Sequence, residues 1–452
     1  MSHSYLSRIR LAVCVVVPSL ILGCPSSRSP AGLPAPTTNV VLISIDTLRP
    51  DHLGCYGYEV PTSPHLDQFC EESVLFEQAI AQAPSTLHSH ASIFSSLLPH
   101  HHGASWGAKT RLPDEAVTIT EVLKAAGFAT AGFAGGGQMD RVFGLDQGFD
   151  VYDQPGQEHF LGTVRRGIEW LDETPNRPFF LFLHSYEVHH PYTPSAEHLA
   201  MVATDYEGSL PDEISIDFLR EVNSKVTEID SADLDHIIST YDAEIRSVDD
   251  GFSFLVAALE ERGLYEDTLI VFTSDHGEEF GEHGVVGWHS HSLYDELLRV
   301  PLMIRFPGAA HAGVKVEEQV RSLDIAPTIA AILGLPIPDE FDGADLTSVV
   351  AAGETPELLA ISRMDRRRGN ERSSIRTERF KMLTPGVLFD LTKDPSEQWD
   401  TPMFEPPSQR ETVKELERAL EEALSSREPL EIEQVAPSEA TLDELRALGY
   451  IN

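Results

Sequence analysis

Acidic and histidine side chains follow three apolar segments of this chain. Asp46 follows the first segment, Asp275 and His276 come shortly after the second, and a histidine-rich stretch at 184–190 follows the third. The three segments are 40–45, 269–272 and 179–183. Carboxylate and imidazole groups together suit Mn, Zn or a mixed oxygen and nitrogen site. These side chains are therefore candidates for metal-dependent chemistry.

The apolar segments predict buried parallel β-strands. Apolar, β-branched runs of this length, separated by helical sequence, are typical of strands covered on both faces. Ligands of open α/β sheets bind outside the carboxyl ends of the strands. We therefore expect Asp46, Asp275 and His276 to converge and supply three ligands to one metal ion. A catalytic metal keeps positions open for a nucleophile and a substrate oxygen.

Thr86 lies in a histidine-rich stretch that precedes helical sequence. The helix is predicted over 91–98, which places Thr86 at or just before its N-terminus. Backbone N–H groups at a helix N-terminus favour an anion. Thr86 is therefore a candidate nucleophile next to a bound anionic group. The alternative is that Thr86 caps the helix or lies in a turn.

The pattern of elements predicts an α/β fold with a large, mostly parallel mixed sheet and a small C-terminal antiparallel subdomain. A long helix is expected at 239–261, and short strands at 374–377 and 380–383 precede a hairpin at Pro385-Gly386. The predicted parts are a signal peptide at 1–24, a linker at 25–38, a catalytic domain at 39–350, a subdomain at 351–405 and a charged helical tail at 406–452.

The composition excludes some classes of partner. The chain carries 33 basic and 72 acidic residues, a formal net charge of -39, and 41% of its residues are hydrophobic. Nucleic acids and anionic membrane surfaces are bound by clustered Lys and Arg. We therefore expect a globular protein with no nucleic-acid partner.

The first residues predict export. Arg8 and Arg10 precede an apolar run at 11–23, which is short for a membrane span. The run ends in a sequence that resembles the lipobox of bacterial lipoproteins, so Cys24 would carry the lipid anchor. An ordinary secretory signal or an uncleaved anchor is the alternative. The expected location is the periplasm or the outer membrane, with membrane contact only through the N-terminal anchor.

Six short motifs, taken in order, resemble those of the sulfatase family within the alkaline-phosphatase superfamily. They lie at 46–58, 98–103, 187–192, 273–278, 292–301 and 388–395. The similarity covers residues 39 to about 400. It implies a large mixed α/β sheet flanked by helices, with a smaller C-terminal sheet.

The resemblance assigns roles to individual positions. Asp46, Asp275 and His276 match metal ligands of the family. His189 matches the histidine that contacts the transferred sulfate or phosphate. His289 falls where sulfatases usually carry a lysine against the same group, although it could be an ordinary loop histidine.

Two motifs depart from the family pattern. Sulfatases carry a Cys or Ser in a Cys/Ser-x-Pro-x-Arg motif that is oxidised to formylglycine, whereas this chain has Thr86-Leu87-His88-Ser89-His90. Threonine cannot become an aldehyde by that route. The family also uses paired aspartates after the first strand, where this chain has Asp46-Thr47.

The altered set resembles another type of site in the superfamily. Asp46, Thr86, Asp275 and His276 are similar to the one-metal site of threonine-nucleophile enzymes such as phosphoethanolamine transferases and lipoteichoic acid synthases. They also resemble one half of the two-zinc site of nucleotide phosphodiesterases. Thr86 would then be both nucleophile and metal ligand, activated by one divalent ion, either Ca, Mn or Zn.

Three histidines complete the predicted site. His90 and the helix N-terminus would help to hold the anionic group. His189 and His289 would stabilise the charge that develops on it. If these histidines are protonated, they replace the Arg and Lys of a sulfatase, and activity would depend on pH.

The sequence therefore predicts a metal-dependent hydrolase of sulfate or phosphate esters of small molecules or glycans. One alternative is a phosphodiesterase, a phosphonate hydrolase or a phosphoryl-group transferase. Another alternative is a family member that binds anionic glycans without turnover. The sequence does not predict an oligomeric state.

Overall fold

An eight-stranded sheet with helices on both faces forms the centre of the molecule, seen here in a computed structural model. The structure describes residues 37–104, 109–156, 158–174, 178–203, 206–352, 358–364, 371–398 and 407–451. The predicted signal peptide and nearly all of the predicted linker lie outside these residues.

The strands comprise the large sheet, a two-stranded ribbon and a small C-terminal sheet. Their bounds are β1 Asn39–Ile45, β2 Val74–Ile80, β3 Ala129–Phe133, β4 Val151–Asp153, β5 Phe179–Ser185, β6 Thr268–Thr273, β7 Glu279–Phe280, β8 Val286–Trp288, β9 Arg299–Arg305, β10 Lys315–Arg321, β11 Ala360–Met364, β12 Arg372–Arg376, β13 Phe380–Leu383 and β14 Val387–Asp390.

The α-helices connect the strands and cover the large sheet. Their bounds are α1 Pro64–Glu71, α2 Thr86–Ser95, α3 Pro99–His102, α4 Ile119–Ala125, α5 Phe160–Glu173, α6 Ala196–Val202, α7 Ile216–Asn223, α8 Ser231–Glu261, α9 Asp295–Leu298, α10 Ile325–Ile332, α11 Thr347–Ala352, α12 Pro407–Leu424 and α13 Glu439–Ala447. Within the described ranges, none of the helices combines the length and the apolar character needed to span a bilayer.

The large sheet is mixed but mostly parallel, as predicted. Its order is β10-β2-β9-β6-β1-β5-β3-β4. Only β9 runs antiparallel to its neighbours, β2 and β6. The small sheet, β11-β12-β13-β14, is antiparallel throughout, and the predicted hairpin at 385–386 joins its last two strands.

The register of the three central strands aligns their carboxyl ends. β1 pairs in parallel with β5 on one side and β6 on the other, so Ser44 lies opposite both His184 and Thr273. All residues of these strands are buried, because apolar side chains cover both faces of the sheet. The polar residues that follow each strand therefore leave the sheet at the same level.

The helix around Thr86 begins earlier than predicted. It was expected at 91–98, but α2 spans Thr86–Ser95. Ser85 is extended and forms the N-cap position, and Ser96 ends the helix with a left-handed backbone, φ 54°. Thr86 is therefore the first helical residue and not the capping residue.

The long helix α8 also begins earlier than predicted, at Ser231 and not at residue 239. The Asp230 side chain accepts hydrogen bonds from the N–H groups of Ala232 and Asp233, which fixes this start. Tyr241, Ile245 and other residues of one face are completely buried against the sheet. The helix is therefore a core element.

The segment predicted as a charged helical tail contains two helices that pack on the rest of the chain. Leu416 and Leu420 of α12 join a hydrophobic cluster with the small sheet. Leu445 and Leu448, in and just after α13, join the main core of the large sheet. This packing brings the residues that follow α13 to the carboxyl ends of the central strands.

Candidate active site

The structure brings the three predicted metal ligands together. Asp46 directly follows β1, and Asp275 and His276 follow β6 by two and three residues. All three side chains are completely buried. His276 Nε2 lies 3.5 Å from Asp275 Oδ2 and 3.8 Å from Asp46 Oδ1. Strand register, and no local feature of the sequence, produces this proximity.

The facing atoms of these residues fit a divalent cation. Asp46 Oδ1, Asp275 Oδ2 and His276 Nε2 are buried and have no hydrogen-bond partner among the described residues. One ligand atom from each residue lies within 4.8 Å of the others. Buried polar atoms are rarely left unpaired, and two carboxylates with one imidazole form a mixed oxygen and nitrogen donor set.

The remaining atoms of the set are held by hydrogen bonds. The backbone N–H of His276 donates to Asp275 Oδ1 at 2.9 Å, and the ring atom Nδ1 of His276 lies 3.0 Å from the Gly277 carbonyl. A histidine that binds a metal through one nitrogen usually donates the other N–H to such a carbonyl. The ring of His276 is therefore oriented with Nε2 towards the two carboxylates.

Burial makes the charges of this set costly. It raises the pKa of Asp46 to about 6, an effect that His276 partly offsets. Burial and the neighbouring Asp46 raise the pKa of Asp275 as well. For His276, burial lowers the pKa, but Asp275 and Asp46 together outweigh it and the net shift is upwards. A cation between these groups would stabilise both carboxylates.

Thr86 lies against this set at the start of α2. Its hydroxyl donates to Asp46 Oδ2 at 3.0 Å and shares a second hydrogen bond with the Tyr450 hydroxyl at 2.6 Å. The side chain is completely buried. Asp46 thus bonds Thr86 through one oxygen and presents the other to the ligand set, an arrangement suited to a nucleophile.

His90 is also part of α2. Its Nδ1 lies 2.9 Å from the Thr86 carbonyl, and its Nε2 lies 2.9 Å from the Ser44 hydroxyl. Burial lowers the pKa of His90 to about 4. Both nitrogens are engaged within the protein, so His90 joins α2 to β1. The contact of His90 with an anionic group stays a prediction.

His189 and His289 lie together beside the Asp46 set. Their ring centroids are 4.8 Å apart, and the His289 ring is 4.6 Å from that of His276. Burial lowers the pKa of His289 to about 3 and that of His189 well below its usual range. These shifts favour neutral imidazoles, contrary to the hypothesis that protonated histidines replace Arg and Lys.

Sequence reasoning missed Tyr450. The residue lies in the segment that the sequence predicts only as a charged helical tail. The Glu444 carboxylate accepts a hydrogen bond from the Gly137 N–H at 2.9 Å and anchors α13 above the site. Gly449 then has a left-handed backbone, and a Cβ there would lie 3.2 Å from His190 Nε2. The only local signal was the apolar spacing of Leu445 and Leu448, which indicates a docked helix.

A cavity of about 630 Å³ adjoins the histidines. His159, Glu187, His189, His190 and Glu244 are among the residues that line it. Asp46, Thr86, Asp275 and His276 are not among its lining residues, so it adjoins the Asp46 set only through the histidines. The predicted sulfate or phosphate contact, His189, lies on its wall.

Comparisons with known proteins agree on one family. The sulfatase family model matches residues 38–335, and a model of the C-terminal region of N-sulphoglucosamine sulphohydrolase matches residues 281–426. The chain is 24% identical to the N-acetylglucosamine-6-O-sulfatase of Bacteroides thetaiotaomicron, over 90% of each protein. It is 26% identical to the multifunctional alkaline phosphatase superfamily protein PehA of Trinickia caryophylli, over 70% of this chain and 77% of that protein.

A solved structure has the same fold. The structure of BT4656 in complex with D-glucosamine-2-N,6-O-disulfate superposes with a TM-score of 0.72 and 21% sequence identity. The match covers 87% of this chain and 99% of the other. The predicted architecture, a large mixed sheet with a small antiparallel C-terminal sheet, is thereby confirmed.

Glu244, on the cavity wall, should make stability depend on pH. Burial, reinforced by Glu187, raises the pKa of Glu244 from 4.5 to about 8. Between these values the folded chain binds a proton that the unfolded chain does not, so stability falls as pH rises from about 5 to 8. The contribution approaches about 1.4 kcal/mol per pH unit.

The substitution Glu244→Gln should remove this contribution. Urea unfolding in the presence of a chelator should show the variant gaining stability over the parent protein as pH rises from about 5 to 8. Asp235→Asn, at an exposed position of the same helix, is the control and should leave the slope unchanged. Parallel curves for Glu244→Gln and the parent protein would contradict the prediction.

Proposed function

The chain belongs to the sulfatase family, and from this premise we propose that it is a divalent-metal-dependent hydrolase of sulfate or phosphate esters with Thr86 as the nucleophile. Its substrates would be esters of small molecules or glycans. One observation carries the proposal. The buried Thr86 hydroxyl is hydrogen-bonded to Asp46, whose other oxygen faces Asp275 and His276 and has no hydrogen-bond partner in the described part of the chain.

Asp46, Thr86, Asp275 and His276 would hold one divalent ion, either Ca, Mn or Zn. When bound, such an ion lowers the pKa of a neighbouring hydroxyl and neutralises charge on the transferred group. The imidazole of His276 favours Mn or Zn over Ca, which prefers oxygen ligands throughout.

The protein's own residues define a two-step reaction. Asp46 Oδ2 holds the Thr86 oxygen and is a proton acceptor 3.0 Å away. That oxygen would form a bond to sulfur or phosphorus while the bond to the alcohol breaks. The alcohol would leave with the proton that Thr86 gave to Asp46. Water then cleaves the threonyl ester, which releases sulfate or phosphate and restores the hydroxyl. His189 and His289 would lie beside the transferred group, and the charge that develops on it would be neutralised by the bound cation.

A narrower candidate is phosphoryl chemistry, including phosphate diesters and phosphonates. Thr86 favours it, because a threonyl ester lacks the aldehyde hydrate through which a formylglycine enzyme can release its product. Water must attack the transferred atom instead. The similarity to PehA, named as a multifunctional alkaline phosphatase superfamily protein, supports this candidate. A phosphoryl-group transferase would differ in using an acceptor alcohol in place of water.

The location of the protein is also a proposal. The lipobox-like sequence that ends at Cys24 supports export and an N-terminal lipid anchor, with the catalytic part in the periplasm or on the outer membrane. These residues lie outside the described part of the chain. The acidic composition supports the absence of a nucleic-acid partner.

Removal of the Thr86 hydroxyl should abolish turnover. Wild type, Thr86→Ala and Thr86→Ser would be assayed on aryl sulfate, aryl phosphate and aryl phosphodiester, after metal removal and with Ca, Mn or Zn restored. We expect Thr86→Ala to lose at least about a thousandfold in kcat. Thr86→Ser keeps the hydroxyl and should retain measurable activity.

The outcomes of this assay separate the candidates. Cleavage of phosphate or diester alone would select phosphoryl chemistry, and cleavage of sulfate would select a sulfatase without formylglycine. Unchanged turnover by Thr86→Ala would refute the nucleophile. No turnover on any substrate, with no metal retained, would favour a protein that binds anionic glycans.

Tyr450 should assist the nucleophile. Its hydroxyl lies 2.6 Å from Thr86 Oγ1, where it can stabilise an alkoxide. Loss of one such hydrogen bond is worth about 1 kcal/mol or somewhat more, so Tyr450→Phe should lower kcat about tenfold. The control is Tyr152→Phe, which removes a buried hydrogen bond to the Met139 carbonyl away from the site and should leave kcat within about twofold. Faster turnover by Tyr450→Phe would show that the tyrosine obstructs the site.

A further inference from the structure

We propose that His189, His190 and His289 bind a second divalent cation, for which zinc is the best match. This site would adjoin the Asp46 set without sharing a residue with it. One ring nitrogen from each histidine lies within 4.8 Å of the others. The three side chains are between 1% and 4% exposed.

Unpaired nitrogen atoms are the first argument for the site. His189 Nε2 and both ring nitrogens of His190 are buried without a hydrogen-bond partner among the described residues. The nearest acidic atom to His190 Nδ1 is Glu278 Oε2, at 3.4 Å. A buried nitrogen that has lost water and gained no partner is costly. A cation that accepts these lone pairs would compensate for that loss.

The hydrogen bonds on the far side of two rings are the second argument. His189 Nδ1 lies 2.5 Å from the His190 carbonyl, and His289 Nδ1 lies 3.0 Å from Glu278 Oε1. Metal-binding histidines almost always donate their other N–H to a carbonyl or carboxylate in this way. With Nδ1 engaged, Nε2 of each ring is left as the ligand atom.

The surroundings hold the three rings in place. Trp288 stacks on His190 with ring centroids 4.7 Å apart and an angle of 10° between the rings. Gly449 lies against both His190 and Trp288, and a Cβ there would come within 3.2 Å of His190 Nε2. Glu278 is completely buried and also accepts a hydrogen bond from Tyr192 at 3.3 Å. The cluster is thus enclosed before any ion binds.

The donor set selects the metal. Three imidazole ligands suit zinc, which takes three protein ligands in catalytic sites and leaves a position for water or substrate. Calcium and magnesium prefer oxygen ligands and would bind weakly here.

The second site would make the proposed function more specific. The substrate class inferred from this site rests on that function. The His276 and His289 rings are 4.6 Å apart, so the two cation sites would face the same space beside Thr86. Two cations there would neutralise more charge than the single lysine of a sulfatase. Paired metals stabilise the attacking and leaving oxygens of phosphoryl transfer. The preferred substrates would therefore be phosphate esters.

Zinc stoichiometry tests the site independently of turnover. The full chain would be freed of metal, titrated with zinc, and its bound zinc measured by elemental analysis. We expect two zinc ions per wild-type chain and one per chain for His190→Asn. Asp275→Asn should also retain one, because it removes a ligand of the other site.

Conservative substitutions guard against misfolding. His289→Gln should likewise bind one zinc ion, and thermal unfolding of each variant checks its fold. Glu278→Gln keeps the size of the side chain but should weaken the second zinc about 10- to 100-fold. One zinc per wild-type chain, lost in Asp275→Asn and retained in His190→Asn and His289→Gln, would overturn the second site.

The two proposals fail separately. One zinc per chain with turnover that depends on Thr86 would refute the second site and leave the proposed hydrolase intact. Two zinc ions per chain without turnover would support the second site and refute the hydrolase.

Discussion

Two carboxylates without solvent contact, Asp46 and Asp275, determine how this site is built. Burial raises the pKa of both carboxyl groups, and the neighbouring Asp46 raises that of Asp275 further. His276 offsets part of the cost but leaves one oxygen of each carboxylate without a hydrogen bond among the described residues. A bound cation balances this charge most directly. The positions of Thr86, α2 and the surrounding histidines are all consistent with such an ion.

The same constraint would allow the proposed threonine nucleophile to replace the usual one. In the family pattern, an oxidised Cys or Ser supplies the reactive oxygen. Here the Thr86 hydroxyl is fixed by Asp46 Oδ2 and Tyr450 at the first turn of α2. Its activation would come from the cation and from these two hydrogen bonds, without covalent modification. The fold of the family is retained while the residue at the nucleophile position differs.

The sequence predicted those parts of the site that depend on strand ends. Asp46, Asp275 and His276 follow buried apolar runs, and parallel register then brings them together. Position within the family motifs likewise pointed to His189 and His289. The predicted helix start was approximate, because the Ser85 hydroxyl at the N-cap bonds the His88 ring and does not cap a backbone N–H of the helix.

The rest of the site depends on contacts between residues distant in the sequence. Tyr450 reaches Thr86 only because α13 docks on the core, and the apolar spacing that permits this does not specify the partner. His90 falls at the position of a family arginine, and its hydrogen bond to Ser44 could not be predicted from that position. The convergence of His190 with His189 and His289 depends on how the loop after β8 folds back, which no local pattern encodes.

If Thr86 is the nucleophile, it carries the transferred group during turnover. The most direct measurement is mass spectrometry of the protein, quenched with acid during turnover of an aryl phosphate or aryl sulfate and then digested. We expect one phospho or sulfo group on the peptide that contains Thr86, formed only when metal is present. Steady turnover with this peptide unmodified, or with the group on another residue, would contradict it.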